Sequence, residues 1–143
     1  MKNFQLDTQL QKDCIVLGEL EHCLLLLMNN ALLPWFILVP KTDKTELYEL
    51  ADEVQAGVWS EINATSKFVK DEFCIDKLNI AAIGNVVEQL HIHIIGRQHE
   101  DFCWPGVVWG RPEKTPYKKE AIDHIMAKLN KSSHIKSYLT DKD

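Results

Sequence analysis

The segment Gln89-Leu90-His91-Ile92-His93-Ile94-Ile95, closed by Gly96-Arg97, constrains the fold of this chain more than any other. Polar and apolar side chains alternate with period two, the pattern of a β-strand with two unlike faces. Leu90, Ile92 and Ile94 turn one way and need a core to receive them. Gln89, His91 and His93 turn the other way, about 7 Å from each to the next, and His91 is expected on an exposed strand face. A lone strand histidine is ordinarily a surface residue or a hydrogen-bonded core residue. Two imidazoles and an amide on one face point instead to chemistry, because imidazole can act as nucleophile, acid, base or metal ligand near neutral pH. The pattern alone leaves covalent catalysis and metal binding open. A metal would need three or four ligands, and this strand offers two.

The rest of the chain reads as strands gathered around helices. Asp7 to Asp13 suits a short helix, and Cys14 to Leu20 and Cys23 to Met28 read as strands joined tightly through Glu21-His22. Asn29-Asn30 breaks the apolar run, and Trp35 to Val39 forms a third strand ended by Pro40. The unbroken apolar character of these strands implies burial on both faces, or a core face plus an interface. Asp43 and Glu46 have the spacing of an N-terminal cap for a long helix, along which Leu47, Leu50, Ala51, Val54, Val58, Ile62, Thr65 and Val69 recur as far as about Lys70. That stripe is core packing rather than a cofactor box. Lys77 to Ile83 is the fourth strand, Gly84-Asn85 a turn, and Gln89 to Gly96 the fifth. After Trp104-Pro105-Gly106, Pro116 in a first helical turn leads into a helix facing inward with Ala121, Ile122, Ile125, Met126 and Leu129. Such an order favours an α+β fold with an antiparallel sheet over a doubly wound one.

At 143 residues, 45% hydrophobic and 26% charged, the chain has the size of one domain able to build its own core. The net charge of −5 argues against broad nucleic-acid or membrane-surface binding. Any anionic ligand must then be held by backbone amides and a few cationic or imidazole groups. Cys14, Cys23, Cys74 and Cys103 form no C-x-x-C pair, the first residues lack the apolar stretch of a signal peptide, and no run is long enough to span a membrane. A cytoplasmic protein with reduced thiols is expected.

The arrangement resembles the histidine-triad (HIT) superfamily of nucleotide hydrolases and transferases. The family signature, His-φ-His-φ-His-φ-φ with φ apolar, is met by residues 89–95 everywhere except at Gln89, which stands where the first histidine is expected. Pro34-Trp35-Phe36-Ile37-Leu38-Val39-Pro40-Lys41 is similar to the family's strand with a V-x-P-K-type end. Asn79 and Gly84-Asn85 take the places of the family's asparagine and Gly-Gln pair, and the stretch from Gly96-Arg97-Gln98-His99 to Trp104-Pro105-Gly106 is similar to the tail of the Hint branch. The resemblance covers about residues 14–106, with 107–143 as a C-terminal helical extension of a single domain. It implies a HIT-like fold with about five antiparallel strands, one long helix and a C-terminal helix.

For function, the resemblance implies a nucleotide phosphohydrolase or phosphoramidase acting on an α-phosphate, with diadenosine polyphosphates or nucleoside phosphoramidates as substrate classes. His91 would be the nucleophile, forming a nucleotidyl-imidazole, with its second nitrogen fixed by a backbone carbonyl. His93 and Gln89 would complete the catalytic set, His93 contacting phosphoryl oxygens or orienting the site. Asn79, Gly84 and Asn85 would bind substrate, and the apolar first strands would wall the base pocket. No resident cofactor is implied, although a divalent cation could accompany the substrate phosphates. A homodimer is implied, forming one continuous sheet across two subunits. Val86 lacks the hydroxyl that many members carry there, and Ile80 to Ile83 is apolar where members are often polar and glycine-rich. Two other readings stand beside this one. The first is a nucleotide-binding protein with little turnover, and the second a metal protein using His91 and His93 with His22 or His99 as a third ligand.

Overall fold

The computed structural model describes residues 4–140. Its elements run α1 (Thr8–Asp13), β1 (Cys14–Glu19), β2 (Cys23–Met28), β3 (Trp35–Pro40), a 3-10 turn (Leu47–Glu49), α2 (Asp52–Glu72), β4 (Lys77–Ala81), β5 (Ile92–Arg97) and α3 (Lys119–Lys131). The strands form one five-stranded sheet in the order β1-β2-β3-β5-β4, and every neighbouring pair is antiparallel. This is the expected α+β architecture. No helix among the described residues is long and apolar enough to cross a membrane.

Both faces of the sheet are covered, which accounts for the unbroken apolar strands. Phe36, Leu38, Ile92 and Ile94 pack with Val58, Ile62, Phe68 and Val69 of α2 and with Ile125 and Leu129 of α3 in one core. Phe36, Phe68 and Phe73 meet edge to face there, with centroids 5.8 to 6.3 Å apart, a geometry that adds to the area they bury. On the opposite face, Trp35, Ile37, Val39 and Ile95 pack with Leu6, Leu10, Cys103 and Val108 in a second core. β3 is therefore buried along its whole length. Because side chains alternate along extended chain, β5 and the residues leading into it send Leu90, Ile92 and Ile94 into the first core and leave His91 and His93 facing the second side.

Several boundaries differ from the sequence reading, three of them for a clear local reason. Asp43 and Glu46 do not cap the long helix. Glu46 and Glu49 cap each other around the 3-10 turn, and the backbone is extended at Leu50 and Ala51 before α2 begins at Asp52. Leu50 still reaches the first core, but from outside the helix. β4 stops at Ala81 rather than Ile83, short of Gly84 with its positive φ of 66°, a conformation that suits a residue without Cβ. β5 begins at Ile92 rather than Gln89, since the Gln89 carbonyl is taken up by the imidazole of His91 instead of a neighbouring strand. Pro116 likewise lies before α3, which opens at Lys119.

Candidate active site

His91 and His93 flank the start of β5, their rings 4.9 Å apart and inclined at 64°. Both are buried, at 6% exposure each, so the expectation of an exposed strand face is corrected. Trp35 and Trp109, which belong to the second core, stand against His93.

His91 Nδ1 lies 2.6 Å from the carbonyl oxygen of Gln89. A carbonyl can only accept, so Nδ1 carries a proton, and in the neutral ring Nε2 keeps a free lone pair. That is the state an imidazole must hold to act as a nucleophile. His91 also forms part of the wall of a cavity of about 350 Å³, together with Gly84, Asn85, Glu46, Leu47 and Tyr48. The structure thus brings three of the residues expected in the site to one opening.

The other expected residues lie apart from that opening. Asn79 sits in a separate groove along β4, with Arg97, Trp104 and Trp109, and its side-chain oxygen accepts from Arg97 Nη1 at 2.9 Å. The fully buried Arg97 also grips Asp101 through Nε and Nη2, at 2.8 and 3.0 Å. That two-pronged ion pair holds the loop after β5 against the sheet. Gln89 directs its side chain to the N-terminal segment, accepting from Asp7 N and donating to Gln5 O, both at 2.9 Å. Val86 is 93% exposed.

His93 is held differently from His91. Trp35 donates its indole N–H to His93 Nδ1 at 3.0 Å, and the Trp109 ring stands edge-on at 5.4 Å. Burial, with His91 alongside, lowers the His93 pKa from 6.5 to about 4, so the ring is neutral at physiological pH. Trp35 and Trp109 are site residues that the strand pattern around the histidines does not reveal. The register explains the placing of Trp35: Ile37 pairs with His93, and period two puts Trp35 on the same face.

The third-ligand candidates for a metal are engaged elsewhere. His22 Nδ1 contacts the fully buried carboxylate of Glu61 at 3.0 Å, and His99 lies against Trp104 and Asp76. His22 is therefore half-buried in the β1–β2 turn. Among the described residues, no three His, Cys, Asp or Glu side chains come together as a metal site.

The HIT domain family matches residues 9–100, a span that contains the β5 histidines, the Gly84-Asn85 loop and Gln89. The chain belongs to the HIT family. Adenylylsulfatase HINT3 of Arabidopsis thaliana is 31% identical over 100 residues, 66% of this chain and 51% of that protein. The chain thus spans about half the length of this curated relative. Solved histidine-triad proteins are similar over nearly their whole length. The one from Sinorhizobium meliloti 1021 is 38% identical with a TM-score of 0.87, covering 97% of this chain and 99% of that one. The one from Marinobacter aquaeolei VT8 is 41% identical with a TM-score of 0.88, covering 94% and 98%. A third, from Bradyrhizobium japonicum, is 33% identical with a TM-score of 0.85, covering 96% and 98%. This similarity extends past the family match into the C-terminal part of the chain.

Proposed function

We propose that this HIT protein is a nucleotide phosphohydrolase or nucleotidyl transferase in which His91 is the nucleophile. One observation carries the reading: the Gln89 carbonyl at 2.6 Å from His91 Nδ1 directs the lone pair of the neutral imidazole to Nε2, on a ring that walls a cavity. In the first half-reaction Nε2 forms a bond to the α-phosphorus, the bond from phosphorus to the leaving group breaks, and that group departs with the electron pair. Water then attacks phosphorus, the N–P bond breaks, and a nucleoside monophosphate leaves. Splitting one displacement into two in this way is ordinary nucleophilic catalysis. His93, as a neutral ring beside His91, donates to a phosphoryl oxygen. Gly84 and Asn85 share the His91 cavity and serve the substrate there, while Asn79 acts through Arg97 at the β4 edge. Gln89 supplies its backbone carbonyl to His91 and its side chain to the N-terminal segment.

Diadenosine polyphosphates and nucleoside phosphoramidates are the substrate classes of this reading. The name of the Arabidopsis relative adds a nucleotidyl sulfate to the panel. Release of nucleoside monophosphate from that panel, compared between wild type and His91→Ala, tests the proposal; equal rates in the two proteins would remove His91 as nucleophile. A second reading, nucleotide binding with little turnover, gains support from Gln89, whose amide is engaged by Gln5 and Asp7, and from the hydroxyl-free, exposed Val86. Calorimetric binding without product release would favour it.

The reading includes a homodimer in the cytoplasm. β4 is an edge strand with Ile80 exposed, and Trp59 is exposed on α2; an unpaired strand edge and exposed apolar side chains each suit a two-fold partner. Free Cys14, Cys23, Cys74 and Cys103 suit a reducing compartment. Light scattering at micromolar concentration should give twice the 16.5 kDa of one chain.

A further inference from the structure

We propose that Trp35 is a positioning residue for nucleotidyl transfer: by donating its indole N–H to His93 Nδ1, it confines the His93 proton to Nε2 and makes His93 a fixed hydrogen-bond donor beside His91. The inference rests on the reading of His91 as nucleophile and adds to it the residue that sets the state of the second histidine.

An indole nitrogen only donates, and Trp35 Nε1 lies 3.0 Å from His93 Nδ1. Nδ1 is therefore the accepting nitrogen, and a neutral imidazole must carry its hydrogen on Nε2. Two residues earlier the opposite holds, because the Gln89 carbonyl only accepts and draws the His91 proton onto Nδ1. Two adjacent imidazoles on one strand face are thus held as opposite tautomers. One offers a lone pair and the other an N–H, the pair of functions that attack on an anionic phosphoryl group requires. With the His93 tautomer reversed, a lone pair would face the phosphoryl oxygens and repel them.

Packing keeps His93 from exchanging its nitrogens. Its ring lies 5.9 Å from that of Trp35, 5.4 Å from that of Trp109 and 4.9 Å from that of His91. A flip would also leave the buried indole N–H of Trp35 without its acceptor, which is costly. The ring stays uncharged as well. His91 is the titratable neighbour on its own strand, β3 presents Trp35 and Ile37, β4 presents Ala81, and the loop presents Trp109. Arg97, next but one beyond Ile95, is bonded to Asp101. Burial then holds His93 neutral down to about pH 4, so its Nε2–H persists across the working range.

The test replaces Trp35 with residues that lack the donor: Trp35→Phe, and a benzothienylalanine at position 35 that keeps the bicyclic shape with sulfur in place of N–H. Nitrogen-15 NMR of the substrate-free protein reads the His93 ring directly. Wild type should show a protonated Nε2 and a bare Nδ1, and either replacement should shift both signals toward mixed tautomers. The acid limb of kcat should move to higher pH, and kcat should fall roughly tenfold, as for one lost transition-state hydrogen bond, with KM little changed. If Trp35→Phe does not fold, the shape-preserving replacement decides between the outcomes. Unchanged His93 nitrogen signals and unchanged kcat in a folded variant would overturn the inference. An active His91→Ala would instead defeat the nucleophile reading while leaving the NMR result on Trp35 standing, so the two failures are distinguishable.

Discussion

Gln89→Ala separates a structural role of the Gln89 side chain from a chemical one. The amide makes two hydrogen bonds, one partly buried to Asp7 N and one exposed to Gln5 O. Together they tie the segment that feeds Leu6 and Leu10 into the second core to the chain just before β5. At about 0.5–1.5 kcal/mol for each bond, with the exposed one at the low end, the loss should be about 1–2 kcal/mol. In a chain of this size that corresponds to a melting temperature lower by about 3–6 °C. The backbone carbonyl that fixes His91 remains in the variant, so the state of the nucleophile does not change. Single-turnover hydrolysis should therefore stay within about threefold of wild type, a change of less than ~1 kcal/mol in barrier. Urea unfolding and quenched-flow product release measure the two quantities on the same samples. A variant as stable as wild type whose rate collapses more than tenfold would refute the reasoning and place the amide in the chemistry.

Two other outcomes follow from the packing around the site. An unfolded imidazole takes its proton near pH 6.5, whereas folded His93 resists until about pH 4. Between those values the unfolded state binds more protons, so this contribution to stability is complete above pH 6.5 and is lost as the pH falls toward 4; its ceiling is about 3 kcal/mol. Urea titrations at pH 7 and pH 4.5 should show wild type losing its advantage over His93→Gln on acidification, and an unchanged or growing difference would contradict this. Gly96→Ala should destabilise the protein by about 1–3 kcal/mol, because a Cβ there would lie 2.6 Å from Ile75 Cγ2, 2.9 Å from Pro34 Cγ and 3.0 Å from Val69 Cγ1. Unfolding free energy equal to that of wild type would show that this seam of the core is looser than the contacts imply.

What can be read from the sequence is what local periodicity encodes. The alternation through residues 89–95 assigns Leu90, Ile92 and Ile94 to the core, where they lie. The unbroken apolar runs announce a sheet covered on both sides, by its own helices and loops or by an interface, and the structure shows the first. Periodicity names a face, however, and not a partner. The Gln89 side chain falls on the histidine face by pattern, yet its amide bonds to residues more than 80 positions earlier. The role of Trp35 depends on a bond spanning 58 positions and on the register of β3 against β5. The start of α2 misleads because Glu46 and Glu49 satisfy each other around a separate 3-10 turn, a local arrangement whose spacing imitates a cap for the longer helix. The surroundings of the histidines are hidden from the pattern because the residues around His91 come from the 46–48 turn and the loop before β5, and the Trp109 that stands against His93 from the loop after it, none of which carries a periodic signal.

Whether a nucleotidyl group passes through His91 decides the central claim most directly. Wild type mixed with a nucleotide labelled at the α-phosphate and quenched within the first turnover should carry the label on the protein. The adduct should be labile in acid and stable in base, as a phosphorus–nitrogen bond to imidazole is, and peptide mass spectrometry should place it on His91. His91→Ala should carry none. Product formation with no labelled protein at any time, or label on another residue with His91→Ala still reacting, would contradict the account.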